Sequence, residues 1–193
     1  MPTYAAVTAA PAEPVLTALR RSRVGGYLYS GGPAGGTSLL FDPPRARFGR
    51  ISQQRLLNPA WDLAFELKAA VWLLQDDGRC AFATACFAGG GCHELGWAAD
   101  WTPPADPAGL AAHRADWDAY CAKIAGKAGL RDPAALAEVR NDPAPDGTRP
   151  SGTDVLRRMC ALVGAPDAVV GQSLLAQAGP GGREFVRFEA KGR

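Results

Sequence analysis

The residues at 71–98, VWLLQDDGRCAFATACFAGGGCHELGWA, constrain the fold more tightly than any other stretch of the chain. Three short β-favouring runs are separated by Asp-Asp-Gly at 76–78 and by three glycines at 89–91. Aspartate satisfies turn N–H groups with its own carboxylate and glycine reaches positive φ without strain, so both breaks read as tight turns. Strands joined this closely run antiparallel, which makes 71–98 a meander. The run at 69–75 is the ambiguous member, because the helical pattern before it can extend to Gln75. Residues 79–87 alternate and need a partner, and that need decides for a strand.

The second hairpin carries a cysteine beside a histidine, and its register decides what each side chain meets. With strands at 79–87 and 92–98 joined by the four residues 88–91, Phe87 faces Cys92, Cys86 faces His93, Thr84 faces Leu95 and Phe82 faces Trp97. This register gathers Phe82, Leu95 and Trp97 on one face. A loop shorter by one residue instead pairs Cys86 with Cys92 and turns His93 away from both. Neighbours along a strand point to opposite faces in either case, so Cys92 and His93 do not pair as nucleophile and base.

Upstream, residues 3–9 form a strand, a helix follows with Val15, Leu16 and Leu19 on one face, and β-favouring runs at 27–30 and 37–42 flank the turn GGPAGG at 31–36. Asn58 followed by Pro59 marks a helix start. That helix carries Leu63 and Leu67 on one side, and Trp61, Phe65 and Lys68 on another. Asp106 caps a long helix with Pro107 in its first turn and its end near Gly126 or Gly129. Its stripe is Leu110, His113, Trp117, Tyr120, Cys121 and Ile124.

A short helix at 133–140 leads to the loop NDPAPDGTRPSG at 141–152. The helix TDVLRRMCALVG turns Val155, Leu156, Met159, Cys160 and Val163 inward and stops at Gly164. An apolar run at 168–175, the turn GPGG and a strand in REFVRFEA close the chain. The expected architecture is one α+β domain over 1–193, a mostly antiparallel sheet with its helices packed on one face. A β-α-β-β half covers about 1–50 and an α-β-β-β unit opens the second half, about 51–193.

Composition narrows the classes of function. In 193 residues, 47% are hydrophobic and 21% charged, an ordinary globular balance. The net charge of +2 comes from 21 basic and 19 acidic residues scattered along the chain, with no basic stripe to attract nucleic acid or an anionic membrane. The residues at 1–21 lack the charged and apolar regions of a signal peptide, and no window nears the roughly 18 apolar residues of a membrane span. The expected compartment is the cytoplasm. Five cysteines without framework spacing fit reduced thiols there. Abundant Ala, Gly, Pro and Arg match a high-GC bacterial source.

Candidate chemistry is thin. Cys92 is a candidate nucleophile, with His113 as base and Asp116 orienting it, provided the thiol is accessible and electropositively placed. A zinc site would draw on Cys80, Cys86, Cys92 and His93. The usual close ligand pairs are missing, and Cys80 and Cys86 would lie about 20 Å apart on an extended strand. Gly31 and Gly36 match the glycines of a phosphate loop, but Thr37 stands in place of the lysine and a strand follows, so a hairpin turn is the better reading. Asp76 and Asp77 belong to a turn, and Asp116 and Asp118 to opposite sides of a helix. Arg45, Arg47 and Arg50 form a basic loop best read as solvated surface.

The segment LTALRRSRVGGYLYSGGPAGGTSLLFDP, followed by AVWLLQDDGRCAFATACF, resembles small uncharacterised α/β proteins of actinobacteria. Those share a β-α-β-β start, a second helix and strand, and a hairpin; the likeness covers about the first half of the chain and MCALVGAP. It implies no catalytic residue. By analogy with chains of this size and organisation, it implies an immunity-like or accessory role. The leading expectation is therefore a non-enzymatic cytoplasmic factor that binds another protein, with no cofactor, nucleic acid or membrane, and with self-association left open. Tyr27, Tyr29 and Trp101 are its candidate interface anchors. The alternatives are a cysteine-dependent hydrolase or transferase using Cys92, and a structural subunit of a larger assembly.

Overall fold

The computed structural model describes residues 3–21, 24–31, 35–42, 54–143, 147–172 and 184–190. The elements in chain order are β1 (Thr3–Thr8), α1 (Ala12–Leu19), β2 (Gly26–Tyr29), β3 (Thr37–Phe41), α2 (Gln54–Leu67), β4 (Val71–Asp76), β5 (Cys80–Cys86), β6 (Cys92–Ala98), α3 (Pro107–Ala128), α4 (Pro133–Ala137), α5 (Gly152–Val163) and β7 (Val186–Phe188). The strands make one seven-stranded sheet in the order β6-β5-β4-β1-β3-β2-β7, every recorded pairing antiparallel. The α+β architecture and the strand at 71–76 are as expected. The basic loop with Arg45, Arg47 and Arg50, the tip of GGPAGG at 32–34 and the turn GPGG lie outside the described residues.

The helices do not pack on one face. α1 and α2 cover one side through Val15, Leu19, Ala60, Leu63 and Ala64, which meet Ala6, Leu39, Leu73 and Cys86 of the sheet. α3, α4 and α5 cover the other through Ile124, Leu136, Leu156 and Met159, which meet Val7, Trp72, Ala83 and Leu95. Because side chains alternate across a strand, burial on both sides demands continuous apolar runs. β3 and the start of β4 supply them, with all five residues of TSLLF and all four of VWLL buried.

Local signals set most boundaries. Asp106 accepts from the Gly109 N–H at 2.6 Å, Pro107 sits in the first turn, and Gly129 closes α3 in the left-handed region at φ 64°. α5 is capped by Ser151 and ended by Gly164. All five of its expected inward residues are buried, each contributing about 1.5–3 kcal/mol relative to exposure. α2 departs from expectation: it begins at Gln54, four residues before Asn58, and Pro59 lies inside it. The cost of the missing amide is offset by tertiary packing, since Ala60, Leu63 and Ala64 beyond it are fully buried.

Candidate functional site

β6 is an edge strand, and at that edge the described residues form a cleft that reaches from the Phe82–Gly96 face of the sheet round to α3. Its volume is about 170 Å³, between Phe82 and Gly96 of the β5–β6 ladder, Trp97, Trp101, and the walls provided by His113, Arg114 and Trp117 of α3 and Arg140–Asp142. The Phe82 ring lies over Gly96, where a Cβ would sit 3.2 Å from the ring edge, so any larger residue would require the ring to shift by a few tenths of an ångström. Trp97 and Trp117 meet edge to face with centroids 6.1 Å apart. Trp97 donates its indole N–H to Val139 O at 2.7 Å and Trp117 donates to Ala137 O at 3.0 Å. With both donors engaged, these rings offer the cleft apolar surface. Trp101 lies against the His113 ring at 5.0 Å.

The polar rim is made of ion pairs. Arg114 reaches Asp142 at 2.9 Å and Arg140 reaches Asp118 at 2.5 Å, while Arg140 Nε is buried without a hydrogen-bond partner. An uncompensated guanidinium N–H seeks an acceptor. Arg149 donates to the Ala99 and Trp101 carbonyls, fixing the 99–101 turn that carries the outer indole. Along the strand, Tyr120 donates to Glu94 O at 3.2 Å and Asn141 donates to Ala98 O at 2.5 Å. Side chains thus occupy two carbonyls on the open side of β6.

At the other end of β6 the register is Cys86↔Cys92, Ala85↔His93, Ala83↔Leu95 and Ala81↔Trp97. The expected pairing of Cys86 with His93 is therefore corrected by one residue, to the register of the shorter loop: Phe87 N–H donates to Gly91 O at 3.4 Å, so the connection closes over 88–90, with Gly90 and Gly91 both at positive φ. Leu95 and Trp97 pair with alanines and Phe82 pairs with Gly96 on the opposite face, not with Trp97. Cys86 is buried, Cys92 exposed, and all five cysteines are free thiols.

His93 turns toward α3. Its ring meets Phe87 and Tyr120 at 5.9 and 5.8 Å, and its Nε2 lies 3.1 Å from Lys127 Nζ. Burial, then Lys127 and Lys123, hold its pKa below the ordinary value. The set Cys86, Cys92 and His93 cannot converge on a metal, because His93 occupies the opposite face. Among the described residues no three His, Cys, Asp or Glu side chains are grouped to hold an ion.

The suggested Cys92, His113 and Asp116 constellation is not assembled either. Cys92 opens β6 and His113 packs on Trp101 beyond the strand's other end, and a strand rising about 3.4 Å per residue puts those ends about 20 Å apart. Asp116 is exposed one turn beyond His113. Burial pushes the Cys86, Cys121 and Cys160 thiols up to about 12, which keeps them protonated at neutral pH and poor nucleophiles.

Of the three expected anchors, Trp101 lines the cleft. Tyr27 lies under the Arg187 guanidinium at 4.8 Å, and Tyr29 packs on Phe185 at 5.3 Å. Both tyrosines secure β7 to the sheet. Phe82, Arg114, Trp117, Arg140, Asn141 and Asp142 are cleft residues that the sequence reading did not single out for function. The available signal was three tryptophans within residues 97–117 beside a glycine in a strand. Among the described residues no helix is long and apolar enough to cross a membrane. Comparison with known protein families, curated proteins and solved structures finds no match to this chain.

Proposed function

We propose that this chain is a non-enzymatic, cytoplasmic protein-binding factor of the immunity or accessory type, and that its cleft takes one apolar side chain from its protein partner. The carrying observation is the size and lining of the cleft. At about 170 Å³ it falls below the roughly 300–1,000 Å³ of sites for cofactor-sized ligands, whereas an apolar cavity of about 150 Å³ holds a single benzene ring. Three indoles around one ring-sized space, with arginines at the rim, match the composition of a hot-spot pocket. The occupied carbonyls of β6 disfavour the other route to a peptide, addition of a strand at the edge.

Two measurements test this reading. p-Cresol titrated into the labelled protein is expected to shift the indole signals of Trp101 and Trp117 and to do so far less in Trp101→Ala. A photo-crosslinking residue at position 101 is expected to capture, in the native host, a protein whose linked residue is aromatic or aliphatic. The same residue at Phe65, the 68% exposed aromatic of α2 on the opposite face, serves as control. Equal capture at both positions, or no response to p-cresol, overturns the proposal. A single fast-alkylating thiol at Cys92 accompanied by turnover of an acyl substrate would favour the cysteine-enzyme alternative.

A further inference from the structure

The hairpin that corrects the expected register also places two thiols opposite one another. Phe87 N–H donates to Gly91 O at the turn and Ala99 N–H donates to Arg79 O at the far end, so odd-numbered positions of β6 form the hydrogen-bonded pairs. Cys86 and Cys92 are therefore a non-hydrogen-bonded pair, the class with Cα atoms about 4.5 Å apart, which lies inside the roughly 4.4–6.8 Å window of disulfides. Directly opposed residues share a face. Trp61 of α2 donates its indole N–H to Gly91 O at 3.0 Å and fixes the turn from one side, while His93 and Lys127 hold it from the other.

We propose that Cys92 and Cys86 are a thiol–disulfide modification site, in which a low-molecular-weight disulfide is reduced as a cross-strand bond forms between them. The exposed Cys92 thiolate attacks one sulfur of the small disulfide, forming a mixed disulfide and expelling one thiolate. Cys86, deprotonated as it reacts, then attacks Cys92 sulfur and expels the second small thiol. Two protein thiols are oxidised by two electrons and one small disulfide is reduced to two thiols, so the exchange balances. Access fixes the order, because Cys86 is fully buried and Cys92 is open to solvent. Burial raises the Cys86 thiol to about 12, so the second step accelerates with rising pH and the mixed disulfide on Cys92 is a detectable intermediate.

The test incubates the intact protein with oxidised glutathione and follows its mass and its peptides. The expected course is a single glutathione adduct on Cys92, giving way to a species two hydrogens lighter whose only linked peptide joins Cys86 and Cys92, with Cys80, Cys121 and Cys160 still alkylatable. In Cys86→Ser the adduct on Cys92 persists, and in Cys92→Ser, a change at an exposed site, Cys86 stays unmodified. An adduct on wild-type Cys92 that never resolves, a bond to a different cysteine, or absence of reaction overturns the proposal. The wild-type outcome alone decides it if Cys86→Ser fails to fold.

Discussion

α5 and α3 lie on the same face of the sheet and use their lengths differently. α5 buries five of its twelve residues, spaced three and four apart along its whole length. α3 has twenty-two residues and fully buries only Cys121, Ile124 and Ala125, all in its second half. Its first half overhangs the β6 edge, supported by Trp117 against Trp97 and by the Arg114–Asp142 and Arg140–Asp118 pairs. Helix beyond what the core needs is thus available to build a wall, and the cleft is the space beneath it. One helix serves stability throughout; the other divides, with its C-terminal half in the core and its N-terminal half at the site.

The sharpest way to break this comparison is to truncate within α5. Met159→Ala removes a fully buried side chain and is expected to cost about 2–5 kcal/mol in denaturant unfolding. Trp117→Ala removes a half-buried indole, an aromatic contact and a hydrogen bond. Its expected cost is about 2 kcal/mol, below the 3–5 typical of a core aromatic, together with loss of the p-cresol response. Trp101→Ala should leave stability within about 1 kcal/mol and still greatly weaken that response at Trp117, separating wall from core. If Trp117→Ala destabilises as much as Met159→Ala, the division of α3 is wrong.

The smallest effect is a titration. His93 reports on the α3 half that belongs to the core, and its pKa is held below the ordinary 6.5 by burial, Lys127 and Lys123. The unfolded chain then binds the proton more readily than the folded one. Stability associated with this group is present above the ordinary histidine value and lost as pH falls through the folded value. Lys127→Met should move the His93 ring signal upward in a pH titration by nuclear magnetic resonance and flatten the acid side of the stability curve. An unchanged midpoint would show that the ammonium is not acting on the ring.

Elements whose signals are local were legible in the sequence. The α5 stripe, the Asp106 and Gly129 limits of α3, and the strand at 71–76 all follow from nearest neighbours or from a partner strand's need. The hairpin at 92 was legible as a hairpin but its register was left between two, because Gly89–Gly91 accommodates a turn of three or four residues with little difference in strain. Packing on two faces was written in TSLLF and VWLL, whose unbroken apolar character has no use for a solvent face. The start of α2 was misplaced because a capping residue and a proline outweigh nothing once the following turn is buried. The cleft was least legible, since it depends on where α3 overhangs a strand edge, a tertiary relation that no local pattern carries.

The hydrogen bonds from Tyr120 and Asn141 to the outer carbonyls of β6 have a consequence for edge-to-edge pairing. An open strand edge is a template on which other chains can polymerise, and these two side chains occupy it at Glu94 and Ala98. At the opposite boundary the sheet finishes in the three residues of β7, too short a ladder to nucleate fibrous growth. A further strand adding at the β6 margin would first have to displace both side chains, while the aromatic hollow beside the strand needs no such displacement to be entered.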